Sequence, residues 1–527
     1  MLPTILAAVA SVAAVVFHPK TLWQLVRRRP WVTSLVAVTV MLVLAFGSGL
    51  WRTTPPARAT ARQGSQPVSQ IDWAKVAKDL IAQERLHQAG AAIVPPAALT
   101  TATTSAAVAT TGSTPEHIEP PTLRAQDFTR ALARDGTSPT GLIRAWSFQP
   151  EESLFLGTPV IFGKRIYVGA SQTDLGGYTG LFACLDLDTG KPIWQVTEAG
   201  KDTLMALFSS PAVTADGKYV IVGEGLHQDR NCSLLCFEAA TGKLHWAVKT
   251  PLHLESSPAI FGDMVVVGAG AIEGNTGRPE GDPGYVFAVR ISDGQPLWKQ
   301  AVNDPESSPA IDEAGIVYIG SGFNGSAVVA LRSGSDEELR TQKLDRILWR
   351  TVVAYPITAP VTLLGDLVIV GGGNSDMVHS NKNAQGGVIA LNRRTGEIVW
   401  QTKFEDAVLG SIAAREGVLI CPLRTGEIAA LAASDGHILW HARVSGNAPV
   451  LAGGALTKER AYAVSNDGYL VVFAADTGKP LEKIYLNEQG KPGTGLSLAS
   501  PQVVGNRIIV GSETGGLSAL VGTEGAK

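Results

Sequence analysis

Apolar and polar positions alternate along most of the chain in short, strand-length runs, and one such pattern occurs five times. Residues 181–194, LFACLDLDTGKPIW, contain an apolar run, an Asp-Thr-Gly turn and a second run that ends in tryptophan. Strand-forming residues on both sides of a glycine turn are typical of a β-hairpin. The other copies begin at Leu234, Val286, Val388 and Ile428. A strand-bearing repeat with a period of about fifty residues predicts a propeller or another repeat array.

Each repeat contains two further strands before the hairpin. A small residue followed by proline precedes the first strand, at Thr158-Pro159, Ser210-Pro211, Ser257-Pro258, Ser308-Pro309, Ala359-Pro360, Ala448-Pro449 and Ser500-Pro501. The second strand is an aliphatic run ending in glycine, at Gly169, Gly223, Gly268, Gly320, Gly371 and Gly511, with Cys421 in the corresponding place of the sixth unit. Four strands per unit are the anatomy of a propeller blade. The chain is therefore predicted to be all-β.

The two ends of the array predict a closed ring of eight blades. The eighth unit begins at Ser500, and no fourth strand follows its third one. We predict the missing strand upstream, where residues 140–146 contain a turn glycine and, five residues later, Trp146. An N-terminal strand that completes the last blade closes the ring and removes its open edges. Residues 140–527 are predicted to form an eight-bladed β-propeller.

One recurrent position of the repeat holds tryptophan. A large aromatic residue at one recurrent place of the repeat is best explained as packing between neighbouring blades, and seven stacking sites for a substrate are not expected. The tryptophans are Trp146, Trp194, Trp246, Trp298, Trp349, Trp400 and Trp440, and the turn glycines are Gly190, Gly242, Gly294, Gly396, Gly436 and Gly478. Glu482 takes the tryptophan position of the seventh unit.

Two apolar stretches precede the propeller. Residues 31–50 are a charge-free run of 20 residues, and residues 2–17 are a shorter apolar run. At 1.5 Å per residue, a helix of about 20 residues crosses a bilayer. The segment between the runs contains Arg27, Arg28 and Arg29, a basic loop of the kind that stays in the cytoplasm. We predict a membrane anchor of one or two transmembrane helices over residues 1–51; a cleaved signal peptide is the alternative.

The anchor predicts a location for the rest of the chain. With the basic loop inside, the protein lies in the cytoplasmic membrane and its propeller faces the periplasm or the cell exterior. Residues 52–139 are predicted to hold short helices and a flexible linker, because residues 89–121 are dominated by Ala, Thr, Ser and Pro.

Composition excludes several function classes. The net charge of −3 gives no case for nucleic acid as a partner. The four cysteines include no CxxC and no adjacent pair, so they indicate neither a disulfide framework nor haem attachment. Cys184 and Cys236 occupy a position that holds alanine in other units, which favours a role as small core residues. No P-loop, nucleophile elbow or paired catalytic carboxylate is present, so no catalytic residue is predicted.

The repeat resembles the quinoprotein-type (PQQ-like) β-propeller repeat. The resemblance is carried by LDLDTGKPIW, FEAATGKLHW, LNRRTGEIVW and LAASDGHILW and covers roughly residues 140–525. Two groups share this repeat: quinoprotein alcohol dehydrogenases, which hold pyrroloquinoline quinone (PQQ) and calcium, and BamB-like outer-membrane assembly factors, which bind proteins without a cofactor. The dehydrogenases typically have a vicinal disulfide over the quinone, and this chain has no adjacent cysteines.

The resemblance therefore implies a non-enzymatic scaffold of the BamB-like group, without a cofactor and with a protein partner in the cell envelope. The membrane, contacted through the N-terminal helices, is the other predicted partner. A membrane-bound quinoprotein dehydrogenase with PQQ and calcium is the alternative. A sensor domain for a small molecule or a glycan is a third possibility.

Long insertions between the second and third strands predict the binding face. In a four-stranded blade these loops leave on the same side as the segments that link successive blades, and function usually lies where loops are elaborated on a rigid scaffold. We call this side the insertion face. Its candidate residues are Glu273, Asn275, Glu280 and Asp282 in one loop and Asn374, Asp376 and His379 in another.

No metal site is predicted in these loops, because no spacing matches a dedicated calcium loop. His227 and His379, in different insertions, are a further option as a pair of metal ligands. Deletion of residues 272–283 is expected to abolish partner binding and leave the fold intact.

Overall fold

A computed structural model of the chain describes residues 138–150, 153–174, 177–227, 229–271, 281–415, 417–446, 448–488 and 497–524. Its strands form eight antiparallel sheets of four or five strands and one two-stranded hairpin. The prediction of an all-β, eight-bladed propeller with four-stranded blades is confirmed.

Blades 1 to 4 occupy residues 153–352. Blade 1 contains β2 (Ser153–Leu154), β3 (Val160–Phe162), β4 (Arg165–Asp174), β5 (Gly177–Asp186) and β6 (Pro192–Val196), and is followed by the hairpin β7 (Glu198–Ala199) and β8 (Asp202–Thr203). Blade 2 contains β9 (Ala212–Val213), β10 (Tyr219–Gly223), β11 (Cys232–Glu238) and β12 (Leu244–Thr250). Blade 3 contains β13 (Ala259–Phe261), β14 (Met264–Ala269), β15 (Tyr285–Arg290) and β16 (Pro296–Ala301). Blade 4 contains β17 (Ala310–Ile311), β18 (Ile316–Ser321), β19 (Ala327–Arg332), helix α1 (Asp336–Gln342) and β20 (Ile347–Val352).

Blades 5 to 8 complete the ring. Blade 5 contains β21 (Thr362–Leu364), β22 (Leu367–Gly373), β23 (Gly386–Asn392) and β24 (Ile398–Phe404), and blade 6 contains β25 (Ala413–Arg415), β26 (Val418–Leu423), β27 (Glu427–Ala432) and β28 (Ile438–Arg443). Blade 7 contains β29 (Ala455–Leu456), β30 (Arg460–Val464), β31 (Tyr469–Ala474) and β32 (Pro480–Tyr485). Blade 8 contains β33 (Gln502–Val504), β34 (Arg507–Ser512), β35 (Gly516–Glu524) and β1 (Thr140–Phe148).

The ring closes through pairing of the first described strand with the last. Strand β1 runs antiparallel to β35, from Thr140 opposite Glu524 to Phe148 opposite Leu517. The carboxylate of Glu482, in the tryptophan position of blade 7, accepts a hydrogen bond from the Leu142 backbone N–H at 2.6 Å. The predicted N-terminal closing strand is therefore confirmed, and Glu482 joins blade 7 to it.

The recurrent tryptophans lie between blades. Each indole Nε1 donates a hydrogen bond to a backbone carbonyl of the following blade; Trp400, for example, donates to Ala433 at 2.9 Å. The ring lies against the turn glycine of that blade, so that a Cβ on Gly436 would lie 2.3 Å from the Trp400 ring. Gly436 also has a φ of +73°, which favours glycine. Glycine is therefore required here twice, once for the backbone conformation of the turn and once for the close approach of the tryptophan ring.

Blade 4 replaces the turn glycine by an insertion that contains helix α1. Ser335 and Glu338 form a capping box at the start of this helix. The Arg346 guanidinium lies 4.4 Å from the centroid of the Trp298 ring and donates to the carbonyls of Arg332 and Gly334. A cation–π contact therefore takes the place of the glycine contact in this blade.

In five blades the small residue before the first strand is Ser or Thr and joins neighbouring blades. Its hydroxyl accepts a hydrogen bond from the backbone N–H of the preceding blade's equivalent residue, as Ser257 Oγ does from Ser210 at 2.9 Å. The other bonds of this series join Thr158 to Ser210, Ser257 to Ser308, Gly453 to Ser500 and Ser500 to Thr158. These bonds run in one direction around the ring and satisfy buried N–H groups.

Two repeat positions are corrected by the structure. In blade 7, Gly453-Gly454 directly precede the inner strand, so the assignment of this position to Ala448-Pro449 is wrong. In blade 6, Ala430 pairs with Ile420, which puts Pro422, and not Cys421, in the position of the strand-end glycine. Both errors arose because the usual proline or glycine is missing from these two blades, whereas the pairing of their strands is the same as in the other blades.

The predicted anchor and linker, residues 1–51 and 52–139, lie outside the described residues except for Ser138 and Pro139. Among the residues that the structure describes, no helix combines the length and the apolar character needed to cross a membrane.

Candidate functional site on the insertion face

The loops between second and third strands lie on the same side as the blade-linking segments. The carboxylate of Asp304, in the segment from blade 3 to blade 4, accepts a hydrogen bond from the Ala271 backbone N–H at 3.2 Å, within the blade 3 insertion. Gly270, in the same insertion, donates to the carbonyl of His253 at 3.1 Å. These contacts place the blade 3 insertion against the segments that link blade 3 to its two neighbours.

The linking segments bring a set of apolar side chains to the centre of this face. Each of these side chains lies three residues before the position that proline occupies at the start of most blades. They pack together although they come from five different segments between blades, which we call junctions: Leu156, Phe208, Leu409, Leu451 and Leu498. Leu226, from the blade 2 insertion, and Met377, from the blade 5 insertion, pack against the same cluster. Because blades 2 and 5 lie far apart around the ring, this cluster lies over its centre.

Two junctions carry glutamate at that same position, and both glutamates contact histidine. They are Glu255, before blade 3, and Glu306, before blade 4. Glu306 Oε1 lies 3.0 Å from His227 Nδ1 and 3.2 Å from His253 Nε2. Glu255 accepts a hydrogen bond from the backbone N–H of His227. We call these four residues the His–Glu cluster.

Three separate segments position the cluster. His227 lies in the loop between β10 and β11, and its ring centroid lies 5.2 Å from that of His253, in the segment between β12 and β13. A Cβ on Gly270 would lie only 2.0 Å from His253 Nε2. Glycine at 270 therefore leaves the space in which the imidazole edge of His253 faces Glu306.

The electrostatics of the cluster are unusual for a loop surface. The side chain of His253 is fully buried, and this burial lowers its pKa to about 3, so the imidazole is neutral at physiological pH. Neither of its ring nitrogens forms a hydrogen bond with any described residue. An unsatisfied buried polar group costs about 1–3 kcal/mol. Burial, reinforced by the negative charge of Glu306, raises the pKa of Glu255 above its usual range.

The predicted site residues have more local roles where they are described. Asp376 accepts hydrogen bonds from the backbone N–H groups of Val378 and His379, and Asn374 bonds to Asn383 and Gln385 within the same loop. These side chains therefore shape the blade 5 insertion.

Asp282 accepts from the backbone N–H of Gly284 and lies 3.4 Å from the ammonium of Lys299. Glu273, Asn275 and Glu280 lie outside the described residues. His227, which the sequence suggested pairing with His379, contacts His253 and Glu306.

Sequence reasoning missed His253, Glu255 and Glu306. A signal was present, because aligning the units by their prolines puts Glu255 and Glu306 where four other units have Leu156, Phe208, Ile357 and Leu498. A charged residue in an otherwise apolar position of a repeat indicates a local function.

All four cysteines are free and buried. Burial raises the pKa of Cys184 to about 11 and that of Cys232 to about 12, and it raises the pKa of Cys236 and Cys421 as well. Because the thiolate is the reactive form, these environments do not favour redox or nucleophilic chemistry.

We expect none of the four thiols to react with a thiol reagent at about pH 8 in the folded protein. With pKa values of about 11 to 12, roughly one thiol in a thousand or fewer is ionised at that pH, and burial blocks access. Counting labelled cysteines by mass spectrometry before and after denaturation checks this, with four labels expected only in urea. Rapid labelling of any cysteine in the native protein would contradict it.

Comparisons with known proteins agree with this architecture. The family described as outer membrane protein assembly factor BamB matches residues 139–380 and 384–527. The BamB of Yersinia pestis is 24% identical over 357 residues, which are 65% of this chain and 80% of that protein. The BamB of Burkholderia pseudomallei (strain K96243) is 24% identical over 319 residues, 58% of this chain and 71% of that protein.

Solved structures share the fold. The crystal structure of BamB from Moraxella catarrhalis superposes with a TM-score of 0.53 at 14% identity, covering 73% of this chain and 99% of that one. A europium-containing methanol dehydrogenase superposes with a TM-score of 0.54 at 15% identity, covering 72% of this chain and 86% of that one. The same ring of blades therefore carries both assembly factors and dehydrogenases, and fold alone does not select between them.

Proposed function

Since this chain belongs to the family of outer membrane protein assembly factor BamB, we propose that it is a non-enzymatic scaffold that binds a protein partner in the cell envelope. The family match covers residues 139–380 and 384–527 and supports a binding role. We place the partner-binding surface on the insertion face.

Exposed apolar side chains on the insertion face carry this proposal. Phe323 and Val378 belong to loops between second and third strands, and Tyr178 is the second residue of β5, directly after such a loop. Their exposed fractions are 39%, 69% and 55%. Aromatic and aliphatic side chains that protrude from rigid loops are typical anchors of protein interfaces. The bonds of Asn374 and Asp376 hold the loop that presents Val378, which reduces the entropy lost on binding.

The dehydrogenase alternative finds little support in the described residues. A bound quinone with calcium needs several convergent oxygen ligands. The centre of the insertion face holds the apolar cluster of Leu156, Leu409, Leu451 and Leu498, which does not fit such a site. The sequence also has no adjacent cysteines for a vicinal disulfide. We therefore propose no PQQ and no calcium for this chain.

We further propose that the protein is anchored in the cytoplasmic membrane through residues 1–51 and that its propeller faces the periplasm or the cell exterior. The support comes from the sequence, with its 20-residue charge-free run and the preceding basic segment. Relatives described as outer membrane assembly factors agree with an envelope location.

We expect aspartate at Phe323 and Val378 to abolish co-purification of envelope proteins with the full-length chain. A charge at an apolar anchor must be desolvated on binding, which weakens an interface by at least about tenfold. The measurement is affinity purification from membranes followed by mass spectrometry. Deletion of residues 272–283 should likewise abolish binding in the same assay.

Ile438→Asp is the matched control. Ile438 is exposed to 46% and lies at the start of β28, directly after the turn on the opposite face. Equal recovery of partners with the loop variants and with this control would contradict the proposed surface. Dye-linked alcohol oxidation by the protein supplied with PQQ and Ca²⁺ would contradict the non-enzymatic role.

A further inference from the structure

Three side chains of the His–Glu cluster converge with the spacing of metal ligands. His227 Nδ1, His253 Nε2 and Glu306 Oε1 all lie within 4.8 Å of one another. In a tetrahedral zinc site with bonds of about 2.0–2.1 Å, neighbouring ligand atoms lie about 3.3 Å apart. The distances from Glu306 Oε1 to the two nitrogens, 3.0 and 3.2 Å, are close to that separation.

His253 is an independent indication that a ligand belongs here. Its imidazole is fully buried, and its ring nitrogens form no hydrogen bond with the described residues. Nε2 lies 3.2 Å from Glu306 Oε1 without forming a hydrogen bond to it, and a metal ion between the two atoms satisfies both. The space beside the nitrogen exists because residue 270 is glycine.

The surrounding charge also favours a cation. Glu255 and Glu306 bring two carboxyl groups to positions whose equivalents in the other six junctions are all apolar. Glu255 holds the backbone of His227 and so fixes the loop that supplies one ligand. Outer contacts of this kind orient metal ligands and tune metal affinity.

From this geometry we propose that His227, His253 and Glu306 bind one divalent transition-metal ion of the Zn²⁺ type. Two imidazoles and one carboxylate suit Zn²⁺ and its neighbours in the first transition row, whereas Ca²⁺ and Mg²⁺ require mainly oxygen ligands. Three protein ligands leave at least one coordination position for water or for a side chain of a binding partner. The ion joins one loop of blade 2 to the junctions before blades 3 and 4.

The test uses the purified full-length protein after treatment with a chelator. Co²⁺ serves as the spectroscopic probe, and Zn²⁺ is added as the competitor. We expect one Co²⁺ per chain with visible absorption of a four- or five-coordinate site, displaced by Zn²⁺, and a higher melting temperature in Zn²⁺. His227→Ala and Glu306→Gln should each weaken binding about a hundredfold or more and remove the thermal shift.

His379→Ala is the matched control, because this histidine lies on the same face and its side chain is 58% exposed. It should bind Co²⁺ like the unchanged protein. His227 is partly exposed, so its replacement tests the ligand without emptying a buried site. Absence of saturable Co²⁺ binding, or equal binding by folded His227→Ala and Glu306→Gln proteins, would overturn the proposal. The test does not depend on a protein partner, so the metal site and the scaffold function can fail separately.

Discussion

Replacement of Trp400 by alanine is expected to lower the free energy of unfolding by about 3–5 kcal/mol. The indole is buried, donates to the Ala433 carbonyl at 2.9 Å and lies on Gly436 of the next blade. Its loss therefore leaves a cavity and an unpaired carbonyl at a blade interface. Urea unfolding followed by circular dichroism measures the change, and a loss below about 1 kcal/mol would contradict the packing role.

The partner glycine allows a complementary measurement on the same interface. Gly436→Ala combines a positive φ with a Cβ 2.3 Å from Trp400, and we expect it to cost about 3 kcal/mol. Gly417→Ala is the matched control, because Gly417 has a φ of +82° and nothing within 4 Å of its Cβ position. This control should cost about 1–2 kcal/mol from backbone strain alone. Equal costs at the two positions would show that the contact with the indole contributes nothing.

Deletion of strand β1, residues 140–148, is expected to prevent the propeller from folding stably. It removes the half-buried Trp146 with its hydrogen bond to the Leu187 carbonyl of blade 1, and it exposes the edge of β35. The lost blade contacts and strand pairing together approach the usual stability of a domain, about 5–15 kcal/mol. We expect most of the protein to aggregate or to be digested rapidly in limited proteolysis.

Removal of nine residues from the predicted linker, residues 101–109, is the control of equal length. This stretch is Ala- and Thr-rich, and its deletion should leave the protease-resistant fragment unchanged. If the protein without β1 unfolds at the same urea concentration as this control, then closure by the N-terminal strand does not stabilise the ring.

The features that repeat along the chain were the ones that sequence could predict. The turn glycines, the tryptophans and the closing strand each recur or complete a recurrence, so their period reveals them without knowledge of the loops. Even the substitution at Glu482 could be located from its position in the repeat. Its contact with the Leu142 backbone could not, because the two residues are 340 positions apart.

The candidate site was hidden for the opposite reason. His227 and Glu306 are 79 residues apart, and their contact depends on loop conformations that occur once in the chain. The acidic and amide residues chosen from composition, such as Asp376, proved to bond within their own loop. Arg346 shows the same limit, because only the folded insertion reveals that its guanidinium stacks on Trp298.

The pairing of β1 with β35 also determines how this protein can be handled. Thr140 lies opposite Glu524, so the chain enters and leaves the described propeller at the same place. That place is the end of blade 8 where other blades have their glycine turns, on the side opposite the insertion face. An affinity tag or a surface linkage that continues from Glu524 therefore starts on the side away from the loops and the His–Glu cluster. Immobilised-protein assays of partners and metal ions can use the same attachment.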